Sequence, residues 1–361
     1  MRANGENLKS IWREKGSNQS MIIDQTFLPY SLEIIELNSL DEYCSAITEM
    51  KVRGAPLIGV TAAFAIADSI MEDPSDANLI NTCELLSTTR PTALNLFWAI
   101  NIMKEKLSNI RIEDRPKEAL SISNELASQD VERNMAIGNN GFEIISKVSR
   151  EKNHETVNIL THCNAGWLAT VDWGTALAPI FRANREGVKI HIWVDETRPR
   201  NQGGLTAWEL QNEGIDHTLI VDNSGGHLMQ RKMIDLVIVG SDRTTSTGDV
   251  CNKIGTYLKA LAAKDNNIPF YAALPSSTVD WDIKDGVSGI PIENRSSSEI
   301  DHISGIDHLG QTQNLRVYPK NVKSLNPAFD VTPSRLVTGI ITEKGIYNPE
   351  ESILRKAFNK A

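Results

Sequence analysis

"MIDLVIVGSDRTTSTGDVCNK", residues 233–253, contains the change of pattern on which the fold turns. Its first seven residues are a short, mostly apolar run, the mark of a strand buried on both faces. The run ends at Gly240, and Ser241, Asp242 and Arg243 open a small, polar loop. Asn252 and Lys253 then read as the first turn of a helix. Strand, polar loop and helix form the repeating unit of an open parallel sheet. Such sheets take ligands beyond the carboxyl ends of their strands.

Outward from this stretch the unit recurs. Candidate strands lie at 157–162, 189–194, 217–221, 234–239, 269–274 and 336–341, with helical stretches at 165–185, 205–213, 226–232 and 251–264. The alternation predicts a doubly wound, mostly parallel, Rossmann-like domain over residues 151–361. Residues 1–150 have another rhythm. Two β-type runs, 8–12 and 20–24, flank the turn-rich "EKGSN" and predict a small hairpin. Segments 40–50, 56–71, 78–88, 92–107 and 115–149 then carry apolar residues at helical spacing, the last expected to break near Gly138 and Gly141. The fold class is therefore α/β, a helical amino-terminal domain followed by a Rossmann-like one. Residues 281–330 are irregular, as loops bordering a site often are.

The 361 residues are 40% hydrophobic and 23% charged, enough apolar material for large cores. A net charge of −9 without a basic run argues against nucleic acid as a partner. The amino terminus shows no secretory signal, and the greasiest stretch, 57–70, contains Asp68 and reads as too short for a membrane span. Four scattered cysteines fit a reducing, cytoplasmic setting. No G-x-G-x-x-G, P-loop, G-x-S-x-G or H-E-x-x-H is found, so neither a cofactor nor a metal is expected.

Three stretches place basic side chains where helices are expected to start: Arg53-Gly54-Ala55, Arg90 and Asn252-Lys253. Helix amino termini attract phosphate, and together the three point to a phosphorylated ligand, although any one alone reads more readily as a solvated cap. Cys163 and Asp242 each follow a strand. Cys163 is either an inert buried thiol or one activated at a helix start; Asp242 is either a turn former or, within apolar walls, a protonated acid. His162 should face away from Cys163 and pack or cap, so it is left out of the catalytic set. Asp249 reads as a helix cap, and Gln202 as a donor or acceptor for a sugar hydroxyl.

"KVRGAPLIGV", "RPTALNLFWA", "THCNAGWLAT", "VDETRPRNQGGLTAWEL", "VGSDRTTSTGDVCNKIGTY", "PFYAALPSST" and "NPAFDVTP" resemble, in order, the motifs of the S-methyl-5-thioribose-1-phosphate isomerase family. That family shares a superfamily with regulatory subunits of a translation-initiation exchange factor. The resemblance runs along essentially the whole chain, with departures at Ser241 and Cys251, where the family has alanine. It implies a cofactor-free homodimer acting on a sugar phosphate, with Cys163 and Asp242 as the catalytic pair. Substrate contacts would fall to Arg53, Gly54, Ala55, Arg90, Gln202, Asn252 and Lys253. Sister activities on 5-deoxyribose 1-phosphate or ribose 1,5-bisphosphate, and a non-catalytic subunit, remain as alternatives. A methylthio group would want an apolar pocket, for which Trp98 and Trp208 are candidates.

Overall fold

The computed structural model describes residues 1–13 and 19–360. A short antiparallel pair, β1 (Arg2–Ala3) and β2 (Glu6–Asn7), precedes a three-stranded antiparallel sheet of β3 (Ile11–Arg13), β4 (Ser20–Ile23) and β5 (Ile34–Leu37). The expected hairpin is β3 with β4, joined by a third strand not foreseen; its turn, 14–18, lies outside the described residues. Five helices follow: α1 (Leu40–Thr48), α2 (Ala55–Glu72), α3 (Asp76–Thr89), α4 (Leu94–Ser108) and α5 (Arg115–Glu151). Among them α2 is buried on nearly every side, packed by the other four. Its 18 residues are long and apolar enough to cross a bilayer, which the run 57–70 had not suggested, but the other helices enclose it here.

Helix α5 runs unbroken through Gly138 and Gly141, against expectation. The glycines serve a close approach. A Cβ on Gly141 would lie 2.4 Å from Pro179 Cγ, and one on Gly138 would lie 3.1 Å from the carbonyl oxygen of Ala178. Both contacts belong to α6 (Ala178–Arg185), which settles onto α5 at this point. Each glycine forfeits about 1 kcal/mol of helix propensity, a loss the packing of the two helices offsets.

Beyond α5 come β6 (Val157–Thr161), β7 (Ile190–Asp195), α7 (Gln202–Asn212), β8 (His217–Ile220), α8 (Ser224–Gln230) and β9 (Leu236–Val239). After β10 (Arg243–Thr245) and β11 (Val250–Lys253) the chain makes α9 (Thr256–Asp265), β12 (Phe270–Ala273) and β13 (Val279–Asp280). The irregular region holds α10 (Gly286–Gly289), α11 (Ser298–Asp301) and a hairpin, β14 (His302–Ile306) with β15 (Thr312–Arg316). Last come β16 (Phe329–Thr332), β17 (Gly339–Thr342), β18 (Gly345–Tyr347) and α12 (Glu351–Phe358).

Seven strands make the main sheet, in the order β18-β17-β12-β9-β6-β7-β8, all parallel except β18. Alternate side chains serve its two faces, as strand geometry requires. Ile159, Leu236, Ile238 and Ile341 pack towards α5 and α6; Leu160, Val237, Val239 and Ile340 pack with α8, α9 and α12. From β6 the chain winds to one edge through β7 and β8, then returns to lay β9 on the other side of β6. The crevice beyond the tips of β6 and β9 is thus the topological switch point, where such sheets bind ligands.

Asn252 and Lys253 are the end of strand β11, not a helix start. Hydroxylated and β-branched residues pair here as a hairpin, Arg243 opposite Cys251 and Thr244 opposite Val250, within a second sheet ordered β13-β10-β11-β16. Nor does Asp249 cap a helix that follows it directly: its carboxylate accepts the backbone N–H groups of Gly286, the first residue of α10, and of Ser334, at 2.9 and 2.8 Å.

The α5–α6 contact makes a sharp prediction. Gly141→Ala should gain helix propensity yet destabilise the protein by about 1–3 kcal/mol, because the methyl group overpacks against Pro179. Urea unfolding measures it; a variant as stable as wild type would refute the packing role.

Candidate active site

Eight of the nine side chains singled out from sequence line one cavity: Arg53, Gly54, Ala55, Arg90, Cys163, Gln202, Asp242 and Lys253. Asn252 is the exception. Successive residues of a strand point to opposite sides, so Cys251 and Lys253 face this cavity. Asn252 faces an adjoining one that also reaches Cys163, Asn164 and Asp242, and its amide donates to Thr256 Oγ1 at 3.0 Å.

Cys163 follows β6, but no helix starts behind it. The chain from 164 to 177 makes only a single 3-10 turn before α6. The reason lies in Glu209 on α7, whose buried carboxylate accepts the N–H groups of Trp167 and Leu168 at 2.8 and 3.2 Å and the amide of Asn164 at 2.8 Å. Backbone groups a helix would have paired are satisfied by a side chain instead. Cys163 itself takes a left-handed φ of 68°. Its N–H donates to Thr197 Oγ1 at 2.9 Å and its carbonyl accepts from Thr206 Oγ1 at 2.8 Å. The helix start expected to activate the thiol from behind is therefore missing. Burial pushes the thiol above the ordinary cysteine range, with Asp242 adding to that and Arg53 and Lys253 opposing it.

Asp242 follows β9, pinned by its N–H to the carbonyl of Cys251 at 2.9 Å. What surface it keeps forms cavity wall. Burial raises its carboxyl above the usual carboxylate range, against the pull of Lys253, Arg53 and Arg90. The turn-former reading is too bland for this carboxyl, which is held towards its neutral form beside a ligand-sized space.

The cations are arranged unequally. Arg53 bonds the neutral Asn164, through its side-chain oxygen and its carbonyl. Lys253 has its ammonium 4.8 Å from the ring centre of Phe329; burial lowers its pKa, while Cys163 and Asp242 draw it back up. Arg90, which closes α3 instead of opening α4, meets Glu293 at 3.2 Å, yet its Nε has no partner. Gly54 precedes α2 at a φ of 91°, and a Cβ there would lie 2.5 Å from Ala169, so only glycine lets the uncapped helix start approach the Cys163 loop. The Gln202 side-chain oxygen is buried on the cavity wall without a partner. Arginines, an ammonium and a free helix amino terminus around one space suit a phosphate.

Two further lining arginines escaped the sequence reading. Arg243 stood in the quoted loop beside Asp242 and could have been flagged as a site residue; it reaches Asp280 at 3.3 Å and the Thr92 carbonyl at 2.8 Å. Arg295 lies in the irregular region, which offered no signal, and is held by Glu293 and Glu299 at 2.7 and 2.8 Å. The tryptophan expectation fails. Trp208 packs on Trp167, and Trp98 lies under Arg133 in a separate groove. The apolar wall is built from Met50, Ile58, Ala93, Ile290, Pro291 and Phe329.

Comparison with known proteins gives the family. Residues 51–349 match the family described as "Initiation factor 2 subunit family". A protein of Brucella anthropi named methylthioribose-1-phosphate isomerase is 52% identical over 360 residues, 99% of each chain. The crystal structure of 5-methylthioribose 1-phosphate isomerase from Pyrococcus horikoshii superposes with a TM-score of 0.82 at 37% identity, over 98% of this chain and 96% of that one. That of the translation initiation factor eIF-2B subunit delta from A. fulgidus gives 0.79 at 40% identity, over 98% and 100%. The chain belongs to the initiation factor 2 subunit family, and within it to the methylthioribose-1-phosphate isomerases.

Proposed function

We propose that this chain is an aldose–ketose isomerase, converting 5-methylthioribose 1-phosphate into 5-methylthioribulose 1-phosphate in methionine salvage. The observation that carries the reading is the shared cavity wall: a thiol and a carboxyl held towards their neutral forms, beside cations fit for one phosphate. Full-length relatives bearing that enzyme's name support it. The resemblance also supports a cytoplasmic homodimer, and a division near residue 150 into helical and Rossmann-like domains.

Phosphate on the anomeric oxygen prevents the sugar ring from opening to a free aldehyde. Asp242 would supply the proton that the ring oxygen needs as its bond to C1 breaks, leaving a cation at C1 shared with the ester oxygen. Hydrogen then moves from C2 to C1 with its electron pair. The C2 hydroxyl returns a proton to Asp242 and becomes the ketone. Protons and electrons balance without any other reagent. An enediol route would instead need Cys163 as a thiolate base, and burial opposes that ionisation. We therefore assign Cys163 to the edge of the C1–C2 bond as a neutral thiol. Arg53, Arg90, Lys253 and the amides of Gly54 and Ala55 would hold the phosphate, and Gln202 a sugar hydroxyl.

The apolar wall suits a methylthio group at C5. A second phosphate there would call for more unpaired positive charge, whereas Arg243 and Arg295 already face Asp280, Glu293 and Glu299. A non-catalytic subunit would have no use for the thiol and carboxyl together.

Incubating purified protein with methylthioribose 1-phosphate should give the ketose, faster than 5-deoxyribose 1-phosphate or ribose 1,5-bisphosphate react; no turnover would refute the reading. Asp242→Asn should lower kcat by about 10²–10⁴-fold with little change in KM, as loss of a general acid does. Near-normal turnover in that variant would remove Asp242 from its role. In deuterated water the product should carry no deuterium at C1. Extensive incorporation would favour the enediol and a thiolate base.

A further inference from the structure

Immediately before Cys163 stands His162, 1% exposed and outside the cavity lining. Its two ring nitrogens have different partners: Nδ1 is 2.9 Å from Asp195 Oδ2 at the end of β7, and Nε2 is 2.8 Å from the carbonyl oxygen of Ile254, the residue after Lys253. A carbonyl only accepts, so Nε2 carries the proton and donates. Asp195 also meets the ammonium of Lys259 at 3.2 Å, and that ammonium donates to the Asp222 carbonyl at 2.5 Å. The Asp222 carboxylate accepts the N–H of Thr197 at 2.7 Å, and the Thr197 hydroxyl oxygen accepts the N–H of Cys163. Together with the His162–Cys163 peptide link, the bonds close a ring behind Cys163.

His162, Asp195 and Asp222 bring three potential metal-ligating atoms together. The ammonium of Lys259 already lies against Asp195, so the cluster contains its own cation, and a mechanical role fits it better. β6 and β11 belong to different sheets, so no backbone ladder fixes the distance between their tips. Yet β6 presents Cys163 and β11 presents Lys253 to the same cavity. The bond from His162 to Ile254 spans that gap.

We propose that His162 is a positioning residue, whose ring ties the tip of β6 to the turn after β11 and so sets the Cys163 thiol and the Lys253 ammonium at a working distance. The proposal rests on the isomerase reading. Two substitutions separate the two ends of the ring. In His162→Gln the side-chain nitrogen stands near the place of Nε2 and keeps the bond to Ile254. In His162→Asn it stands near Nδ1, keeping Asp195 and losing Ile254.

Steady-state kinetics on both variants, with folding checked by circular dichroism and Tm, should leave kcat of H162Q within about threefold of wild type. H162N should lose at least about tenfold in kcat and less in KM, since misplacement on the order of 1 Å can cost ~10²-fold. Equal kcat in H162N and wild type, or equal losses in both variants, would overturn the proposal, because a purely structural residue would move Tm and leave the kcat of folded protein alone. Should H162N fail to fold, H162Q decides by itself, a tenfold loss in folded H162Q being fatal. If wild type lacks turnover, the isomerase reading fails separately. Iodoacetamide labelling of Cys163, read by mass spectrometry, then tests the geometry: its rate should change by about tenfold or more in H162N and stay near wild type in H162Q.

Discussion

A buried chain segment without regular structure is tolerable only where its amides and carbonyls find partners, and residues 162–177 are such a segment. Glu209 is their principal anchor, accepting from Asn164, Trp167 and Leu168. Burial pushes its carboxyl up to about 7, so those three donors stabilise a group that water would hold far more easily. Elements distant in sequence complete the set. Gln25 donates to the Leu168 carbonyl at 2.7 Å, Ser10 to that of Trp167 at 2.8 Å, and Asp130 accepts the N–H of Val171 at 2.8 Å. The helical part of the chain and the small amino-terminal sheet thus act as a mould for the loop that bears Cys163.

From this constraint the character of the site follows. The loop cannot become a helix without abandoning Glu209, so Cys163 sits in a left-handed turn with no helix of its own starting behind the thiol. Arg53 reaches the same loop through Asn164, which brings the free start of α2 against it. Asp242 comes from the other side, off β9. The result is a thiol and a carboxyl that burial pushes towards their neutral forms between cations, an arrangement suited to moving a proton out to a ring oxygen and back.

How much of this was legible in the sequence depends on which residues are asked about. Short apolar runs and their polar endings marked every strand of the main sheet except the edge strand β18, because a central strand buried on both faces has few other ways to be written. Cys163 and Asp242 were visible as strand-end residues, and the resemblance then set them together. Helix starts misled. Asn252 and Lys253 looked like a first turn, but their pairing opposite Asp330 and Phe329 on β16 is a contact across more than seventy residues that no local pattern carries. Gly138 and Gly141 looked like a break because the residues they meet, Ala178 and Pro179, lie in another helix. Arg295 was invisible for a different reason: its partners Glu293 and Glu299 are local, but they lie in a region lacking periodicity.

The comparison with an initiation-factor subunit at 40% identity sharpens what the fold itself supplies. A switch-point crevice and a helical mould can serve recognition as readily as reaction, and fold alone does not choose. The choice here lies in charge. Guanidinium groups that face acids, Arg243 on Asp280 and Arg295 on Glu293 and Glu299, shape the cavity without offering a ligand much net charge. Arg53 and Lys253 face neutral partners, an asparagine and a phenyl ring, and so keep their charge for whatever enters. A site built to recognise a macromolecule would place such cations on its rim. These are buried beside a carboxyl and a thiol, where a single small anion satisfies both and brings its neighbouring carbon atoms up to the pair.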